Sequence, residues 1–333
     1  MEPKMNERNH EYHSVGGRHL KLNDLKEVAQ GLDNQYLKKE NIPLYPQPEF
    51  HVSHLKHDTN RDGLQGIWEK QGFMNPSASS LLWWSLAVGS EEVTSAERRL
   101  LETTYPDRTE MQVQMQQSFL QMFASSPAFL SSSRLGSYRF TFGLEEVLRA
   151  YSNQFCGGAE PVMRVLKTDL YKQEVMYAVV VHGPAHQQLY ANCPLLTDDP
   201  DSVCAYRDGL FLWRSEAMCE THRYQLVCRD DEKQMGAELC SGRPQFYVWD
   251  NVAIALHVDD QVLKFDVDQL RKRLTFCDKG YPVIAKEFDR IEEAEEFVRV
   301  FWPNYPSALK KDDGLRIDDG DSDRNIDRDV DED

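Results

Sequence analysis

Three histidines stand at every third position in one short stretch, at His51, His54 and His57. Imidazole nitrogens bind zinc, and three histidines with an open fourth position form a known kind of catalytic zinc site. Such a site needs all three side chains on one side of the chain. Residues three apart share a face on a helix but point to opposite faces on a strand. The local secondary structure therefore decides between metal chemistry and a single histidine that faces a ligand.

The surrounding residues favour a strand. Residues 50–55, FHVSHL, alternate between apolar and polar side chains and follow three closely spaced prolines, which favour an extended chain. A polar turn is predicted over residues 56–62, and an amphipathic helix then runs from about Leu64 to Gly72. On a strand the histidines divide between two faces. A three-histidine zinc site, one core histidine with two surface ones, and one ligand-facing histidine remain the alternatives.

Composition restricts the class of protein. The 333 residues, 41% of them apolar, are enough for a sizeable core. Apolar runs are too short for a membrane span, and the N-terminus lacks the apolar region of a secretory signal. Seven cysteines, an odd number, are expected to be reduced thiols of a cytoplasmic or nuclear protein. The net charge of −17 disfavours a broad basic surface that binds nucleic-acid phosphates, although a locally basic cleft stays open.

Periodicity divides the chain into three parts. Residues 1–45 form a polar arm that is expected to be loose except for one helix within residues 19–31. Residues 46–308 are expected to form a single α+β domain, with a split, mostly antiparallel, curved sheet and with helices from residues 90–151 packed on it. Strand patterns outnumber helical ones in its second half. The tail at 309–333 is rich in aspartate and is predicted to be disordered.

Individual elements follow from the same patterns. The run LLWWSLAV at residues 81–88 predicts a buried strand, and Ser90 marks the start of a helix. Methionines and aromatics at helical spacing over 111–123 predict a buried helix face rather than a cofactor site. Residues 262–265 are predicted to pair with a strand over 246–257.

The opening stretch resembles a known family. HVSH followed by GLQGIWEKQGF resembles the first strand and helix of ADP-ribosyltransferases of the PARP and diphtheria-toxin type. It is particularly similar to the H-x-T-H…N-L-x-x-I-L-x-x-G-G-L opening of DNA-targeting toxins. In that superfamily a histidine of the first strand hydrogen-bonds a ribose hydroxyl of NAD. The resemblance gives this role to His54, or to His51 if the strand is shifted.

Two further motifs extend the resemblance. The segment 243–250, RPQFYVWD, is similar to the last conserved strand of the PARP group, and the family's catalytic glutamate falls on Gln245. A neutral amide can orient the ribose hydroxyl but stabilises an oxocarbenium-like transition state much less than a carboxylate. Trp83 and Trp84 are the best match for the aromatic residue that stacks on nicotinamide. Core packing is the alternative for this pair.

The resemblance implies an ADP-ribosyltransferase-like protein that binds NAD or ADP-ribose, either weakly active or a pseudoenzyme. NAD would be its substrate, and a protein or nucleic-acid group the acceptor. The alternative is a non-enzymatic protein-interaction module whose arm and acidic tail recruit partners. A third reading is a hydrolase that uses Cys156 as nucleophile or a zinc ion near Cys219 and His222. No metal site is assigned, and no phosphate-binding glycine motif is present.

Overall fold

The computed structural model describes residues 1–6, 9–75, 80–197, 199–281, 284 and 287–306. Within these ranges the strands are β1 (Glu2–Met5), β2 (Glu11–Gly16), β3 (Glu49–Val52), β4 (His54–Thr59), β5 (Gly72–Phe73), β6 (Leu81–Ala87), β7 (Tyr138–Gly143), β8 (Val162–Leu170), β9 (Glu174–His182), β10 (Cys204–Arg207), β11 (Leu210–Arg214), β12 (Thr221–His222), β13 (Tyr224–Arg229), β14 (Gln234–Leu239), β15 (Gln245–Phe246), β16 (Trp249–His257), β17 (Leu263–Lys264) and β18 (Leu274–Phe276). The α-helices are α1 (Leu22–Val28), α2 (Arg61–Lys70), α3 (Ser90–Thr104), α4 (Glu110–Met115), α5 (Leu144–Phe155), α6 (Val267–Arg273) and α7 (Ile291–Phe301).

Nine strands form the principal sheet, in the order β1-β2-β8-β9-β16-β6-β4-β7-β18. The pair β9–β16 is parallel and the other neighbours in this sheet are antiparallel. The predicted α+β class with a mostly antiparallel sheet is therefore confirmed. In place of the predicted split, β16 joins two four-stranded halves into one continuous sheet. Shorter sheets stand beside it, among them β10-β11-β3.

Alternation along β4, β6 and β7 gives the sheet an apolar and a polar face. On the apolar face Leu55, Leu86 and Phe142 lie side by side in the strand register, and Trp84 and Phe140 occupy the next rung. The rings of Trp84 and Phe140 pack on Phe73, and Trp84 also packs on Phe142. Burying each such side chain contributes about 1.5–3 kcal/mol, so this cluster is a main part of the core.

The opposite face of the same strands is polar. Lys56 pairs in register with Ser85 of β6 and Thr141 of β7, and Asp58 pairs with Arg139. The segment 127–132 covers this face and offers its carbonyl groups to the buried cations. A charged face under an irregular segment is a suitable place for a polar site, because the segment leaves gaps that a packed helix would fill.

The opening stretch is extended and then helical as predicted, but the single strand predicted over FHVSHL is divided at Ser53 into β3 and β4, which belong to different sheets. Strand β4 continues to Thr59 where a turn from Lys56 was predicted. Asn60 then caps α2 by accepting a hydrogen bond from the Gly63 N–H at 3.0 Å. Gln71 ends the helix in the left-handed conformation at a φ of 54°. Residues 263–264 pair with β5 and not, as predicted, with β16.

Helix α3 begins at Ser90 as predicted, but the predicted buried helix over 111–123 is only half right. Helix α4 is one short helix whose Met111 and Met115 are 70% and 62% exposed. Phe119 and Leu120 are buried as predicted, and so is Phe123, within a turn of 3₁₀ helix. Glu97 holds that segment because its carboxylate accepts the N–H groups of Phe119 and Leu120.

The N-terminal arm contributes to the sheet instead of remaining largely loose. Strand β2 pairs with β8, and the buried Ser14 hydroxyl donates to Asp169 at 2.6 Å. Helix α1 lies within the predicted helical segment and buries Leu22 and Leu25. The predicted tail at 309–333 lies outside the described residues. Among the described helices, none is both long and apolar enough to cross a membrane.

Candidate functional site

The strand geometry separates the three histidines of the opening stretch. His51 lies on β3, in a different sheet, and its Nε2 contacts Glu49 Oε1 at 2.9 Å. His54 and His57 lie on opposite faces of β4. His57 is part of the core, where its ring packs against Phe73 and burial lowers its pKa. The three side chains therefore cannot share one metal ion.

His54 lines a cleft of about 540 Å³ between the polar face of the sheet and the start of α3. This volume falls within the range of ordinary ligand sites. Strand β4 contributes His54 and Lys56, β7 contributes Arg139, and the loop before α3 contributes Gly89. The polar groups come from separate elements and converge on one space, as they do in ligand sites.

A chain of hydrogen bonds identifies which nitrogen of His54 is a donor. The Ser53 hydroxyl donates to Glu92 Oε1 at 3.2 Å. The Ser53 Oγ also lies 2.9 Å from His54 Nδ1. A hydroxyl has one hydrogen, so Nδ1 must be the donor to Ser53. Nε2 is then the unprotonated nitrogen of the neutral ring. His54 can accept a hydrogen bond from a ligand hydroxyl at this atom.

The start of α3 fixes Glu92 and so fixes the whole chain of hydrogen bonds. Glu92 Oε2 accepts the Gly89 N–H at 3.0 Å, which is one half of a capping box. The positive end of the helix dipole favours a carboxylate in the first turn. Glu92 therefore serves two purposes: it caps α3 with one oxygen and orients Ser53 with the other.

Arg139, which lines the cleft, forms a buried ion pair with Asp58 of the adjoining smaller cavity. Arg139 Nε and Nη2 donate to the two carboxylate oxygens of Asp58 at 2.7 and 2.8 Å. Burial opposes the charge on Asp58, but the hydrogen bonds and charge of Arg139 prevail and lower the Asp58 pKa. Arg139 also donates to the carbonyls of Leu130, Ser131 and Ser132. The pair therefore ties the covering segment to the sheet.

Lys56 stands beside this pair and is 6% exposed. Its ammonium donates to the Pro127 carbonyl at 2.7 Å. Burial, together with the nearby Arg139 charge, lowers the pKa of Lys56 to about 8. A smaller cavity of about 70 Å³ continues past Lys56 to Ser85 and to Asn251 of β16. The alternation along β4 predicts that Lys56 and His54 lie on one face of the strand. That Asn251 lines the same cavity as Lys56 could not be predicted locally, because the two residues are about 200 positions apart in the sequence.

The tryptophan pair does not line this cleft. Trp84 is 1% exposed and packs among the core aromatics, which corrects its expected role in stacking on a ligand. Trp83 points to the polar side of the sheet by strand alternation. Its ring does not line the cleft but contacts the Lys167 ammonium, which lies 5.7 Å from the ring centre. Its ring forms part of the sheet surface near β8.

Gln245 is also separate from His54. It is exposed on β15, a two-residue strand that pairs with β12. Its side chain contacts Lys39 Nζ at 3.3 Å and the Arg243 carbonyl at 3.3 Å. Neither partner lines the cleft. The structure therefore does not bring Gln245 or the tryptophans together with His54. The residue of β16 that shares a cavity with Lys56 is Asn251.

The cysteines considered as nucleophile or zinc ligand do not form such sites. The Cys219 thiol donates to the Phe123 carbonyl, and burial raises its pKa to about 12. Burial also raises the pKa of Cys156. Thiols of this kind are protonated and unreactive at neutral pH. In the part of the chain that the structure describes, the one group spaced to share a metal ion contains neither cysteine and consists of His186, His257 and Asp259.

Comparison of the chain with protein-family models, with curated proteins and with solved structures finds no match.

Proposed function

We propose that the cleft beside His54 binds an ADP-ribose-type ligand, either NAD or ADP-ribose, and that the protein is a pseudoenzyme with respect to ADP-ribosyl transfer. The observation that carries the proposal is the Glu92–Ser53–His54 chain of hydrogen bonds. It leaves Nε2 as the acceptor of the neutral His54 ring, and His54 lines the cleft. A ribose hydroxyl is a donor that suits this atom, and the sequence resemblance favours the same pairing.

The other walls of the cleft are compatible with such a ligand. Arg139 and Lys56 line the floor, and together with Asp58 they carry one net positive charge there, which attracts a phosphate group by its charge although the Arg139 N–H groups are already hydrogen-bonded. Glu91 and Glu92 at the rim suit hydroxyl groups, which donate to carboxylates. The charges therefore favour a ligand with both phosphates and sugar hydroxyls over a purely anionic one.

Binding without efficient transfer follows from the position of Gln245. Transfer requires a group that stabilises positive charge at the anomeric carbon, and an amide does this poorly. Gln245 in addition contacts Lys39 and Arg243 outside the cleft. Asn251 of β16, which lines the adjoining cavity, is also neutral. We therefore expect ligand binding to be separable from NAD hydrolysis.

Calorimetric titration of the full chain with NAD and with ADP-ribose tests the proposal. We expect one binding site, and we expect His54→Ala to weaken it about 10- to 100-fold, as loss of one buried hydrogen bond of 1.4–2.8 kcal/mol would do. His51→Ala is the matched control, because its imidazole contacts Glu49 outside the cleft. No heat at about 1 mM ligand, or equal losses in both variants, would refute the proposal.

One observation favours the alternative of a protein-interaction module. Four apolar side chains on and just after α4 are more than half exposed: Met111, Val113, Met115 and Met122. Flexible methionines are common on surfaces that bind other proteins. If the titrations show no nucleotide binding, this surface, which we call the α4 methionine surface, becomes the leading candidate for function. Its replacement by glutamines would then be expected to leave folding intact and abolish partner binding.

A further inference from the structure

The ends of β9 and β16 form a second polar cluster, distinct from the cleft. These two strands are parallel neighbours, and Leu256 pairs with Val181, so His257 and His182 end the strands side by side. Carboxyl ends of parallel strands meet at one edge of a sheet, where ligand sites of α/β proteins commonly lie. The chain after β9 turns through a short 3₁₀ helix that ends at His186, and the chain after β16 turns at Asp259.

Three potential ligand groups converge at this edge. His257 Nε2 lies 2.7 Å from Asp259 Oδ1, and His186 Nε2 lies 2.8 Å from Asp259 Oδ2. The centroids of the two imidazole rings are 4.0 Å apart. One potential ligand atom from each of the three residues lies within 4.8 Å of the other two. Ligands around a tetrahedral zinc ion, with bonds of about 2.0 Å, stand about 3.3 Å apart. The cluster needs only small shifts to reach that spacing.

A second layer of groups orients the ligands. The other nitrogen of His257, Nδ1, lies 2.5 Å from the Tyr190 hydroxyl, and the Tyr151 hydroxyl donates to the His257 carbonyl. His182 stacks on the Tyr190 ring and accepts a hydrogen bond from Arg164 Nε at 3.0 Å. Metal-bound histidines are typically held through their second nitrogen in this manner.

Two observations indicate that hydrogen bonding alone does not account for the cluster. His186 Nδ1 is buried, and among the described residues it has no hydrogen-bond partner. Asp259 and Asp260 both have left-handed backbones, with φ of 46° and 61°. Non-glycine residues adopt this conformation at a cost and often do so at functional sites. The turn brings the Asp259 carboxylate within hydrogen-bonding distance of His257 Nε2.

We propose that His186, His257 and Asp259 form a binding site for a divalent transition-metal ion, with zinc as the first candidate. Two imidazoles and one carboxylate are a ligand set used for zinc and for non-haem iron(II). The His257 side chain is 3% exposed, whereas those of His186 and Asp259 are 26% and 46% exposed. The buried side provides ligands and the exposed side leaves room for water at the remaining positions. The proposal stands independently of nucleotide binding in the cleft.

Zinc titration of the chelator-stripped full chain tests this site. We expect one zinc per chain by calorimetry, a rise in the unfolding temperature with zinc, and visible absorption bands when cobalt(II) replaces zinc. Iron(II) and manganese(II), added separately without oxygen, determine the preferred metal. Asp259→Asn and His186→Gln change residues in exposed turns, and together they are expected to weaken zinc binding at least about 100-fold, since they leave one of three protein ligands.

His51→Ala is the control and is expected to keep the wild-type zinc affinity. The proposal fails if the wild-type chain binds less than about one zinc per two chains, because a specific site fills to one. It also fails if the double variant binds zinc as tightly as the wild type. If the double variant does not fold, the zinc stoichiometry and cobalt spectrum of the wild-type chain decide the question.

Discussion

Asp58 is the residue on which the charge balance beneath the cleft depends. It accepts two hydrogen bonds from Arg139. Its charge also partly offsets the effect of burial, which lowers the pKa of Lys56. Both cations are less than 10% exposed, Lys56 at 6% and Arg139 at 9%. Removing a carboxylate from such a group leaves two buried positive charges without compensation. The cost comes from the charges that remain and not only from the lost pair.

We therefore expect Asp58→Asn to reduce the free energy of unfolding by about 3–5 kcal/mol, the usual cost of breaking a buried ion pair from one side. Urea denaturation followed by circular dichroism measures the change. Glu238→Gln is the control, since its pair with Arg229 is more than half exposed, and an exposed pair contributes at most about 1 kcal/mol. Similar losses in the two variants would show that the Asp58–Arg139 pair is not buried as described.

At the scale of elements, two glycines in and just after α2 differ in their packing: Gly72 requires the absence of a side chain and Gly66 does not. Gly72 follows the helix where β5 meets β17, and a Cβ there would lie 2.3 Å from the Leu263 carbonyl oxygen. Backbone atoms cannot move aside as a flexible side chain can. Gly66 lies within the helix, and a Cβ there would meet nothing within 4 Å.

Gly72→Ala and Gly66→Ala are thus expected to have opposite effects. Gly66→Ala should stabilise the protein by about 0.5–1 kcal/mol, because alanine loses less backbone entropy in a helix. Gly72→Ala should destabilise it by about 1–3 kcal/mol, the usual range for overpacking. Thermal unfolding of the two variants beside the wild type measures both effects. A stabilising Gly72→Ala would mean that β5 and β17 are not in close contact.

Local patterns predicted elements well and their partners poorly. The alternation of FHVSHL predicted extended structure, which forms β3 and β4, the short apolar run LLWWSLAV predicted β6, and the residues that follow Ser90 predicted the start of α3. Pairing depends on contacts between distant segments, so neither the β5–β17 pair nor the β9–β16 pair had a local signal. The same reason applies to the two candidate sites. His54 of the cleft could be chosen from its own strand pattern, whereas the grouping of His186 with His257 and Asp259 follows only from the sheet topology.

At the scale of the whole molecule, buried neutral histidines make the fold sensitive to acid. Burial lowers the pKa of His19 to about 4 and that of His222 to about 4. His19 Nε2 donates to the Ala178 carbonyl, which links the N-terminal arm to β9. Between pH 6.5 and 4 the unfolded chain binds protons at these rings and the folded chain does not. Stability is therefore present above this window and decreases as the pH falls through it.

Urea titrations at pH 7 and pH 4.5 measure this effect for His19. Replacement by glutamine keeps a donor for the Ala178 carbonyl but removes the titration. We expect His19→Gln to lessen the loss of stability between the two pH values by about 2 kcal/mol, because burial lowers the pKa of His19 from its ordinary value of 6.5 to about 4. His10→Gln, at an exposed position, should keep the full loss. An unchanged pH dependence in His19→Gln would place His19 outside the core.

The position of β16 has a consequence for synthesis. This strand is the fifth of nine in the principal sheet, yet residues 249–257 lie late in the chain. On the ribosome, the strand edges of β9 and β6 are both made long before the strand that covers them. Until then β9 and β6 each present an edge of unpaired backbone N–H and C=O groups, a state that favours aggregation or chaperone binding. A stop codon before residue 249 would remove both the strand that joins the two halves and β18 at the far edge, and would not leave a shorter folded protein.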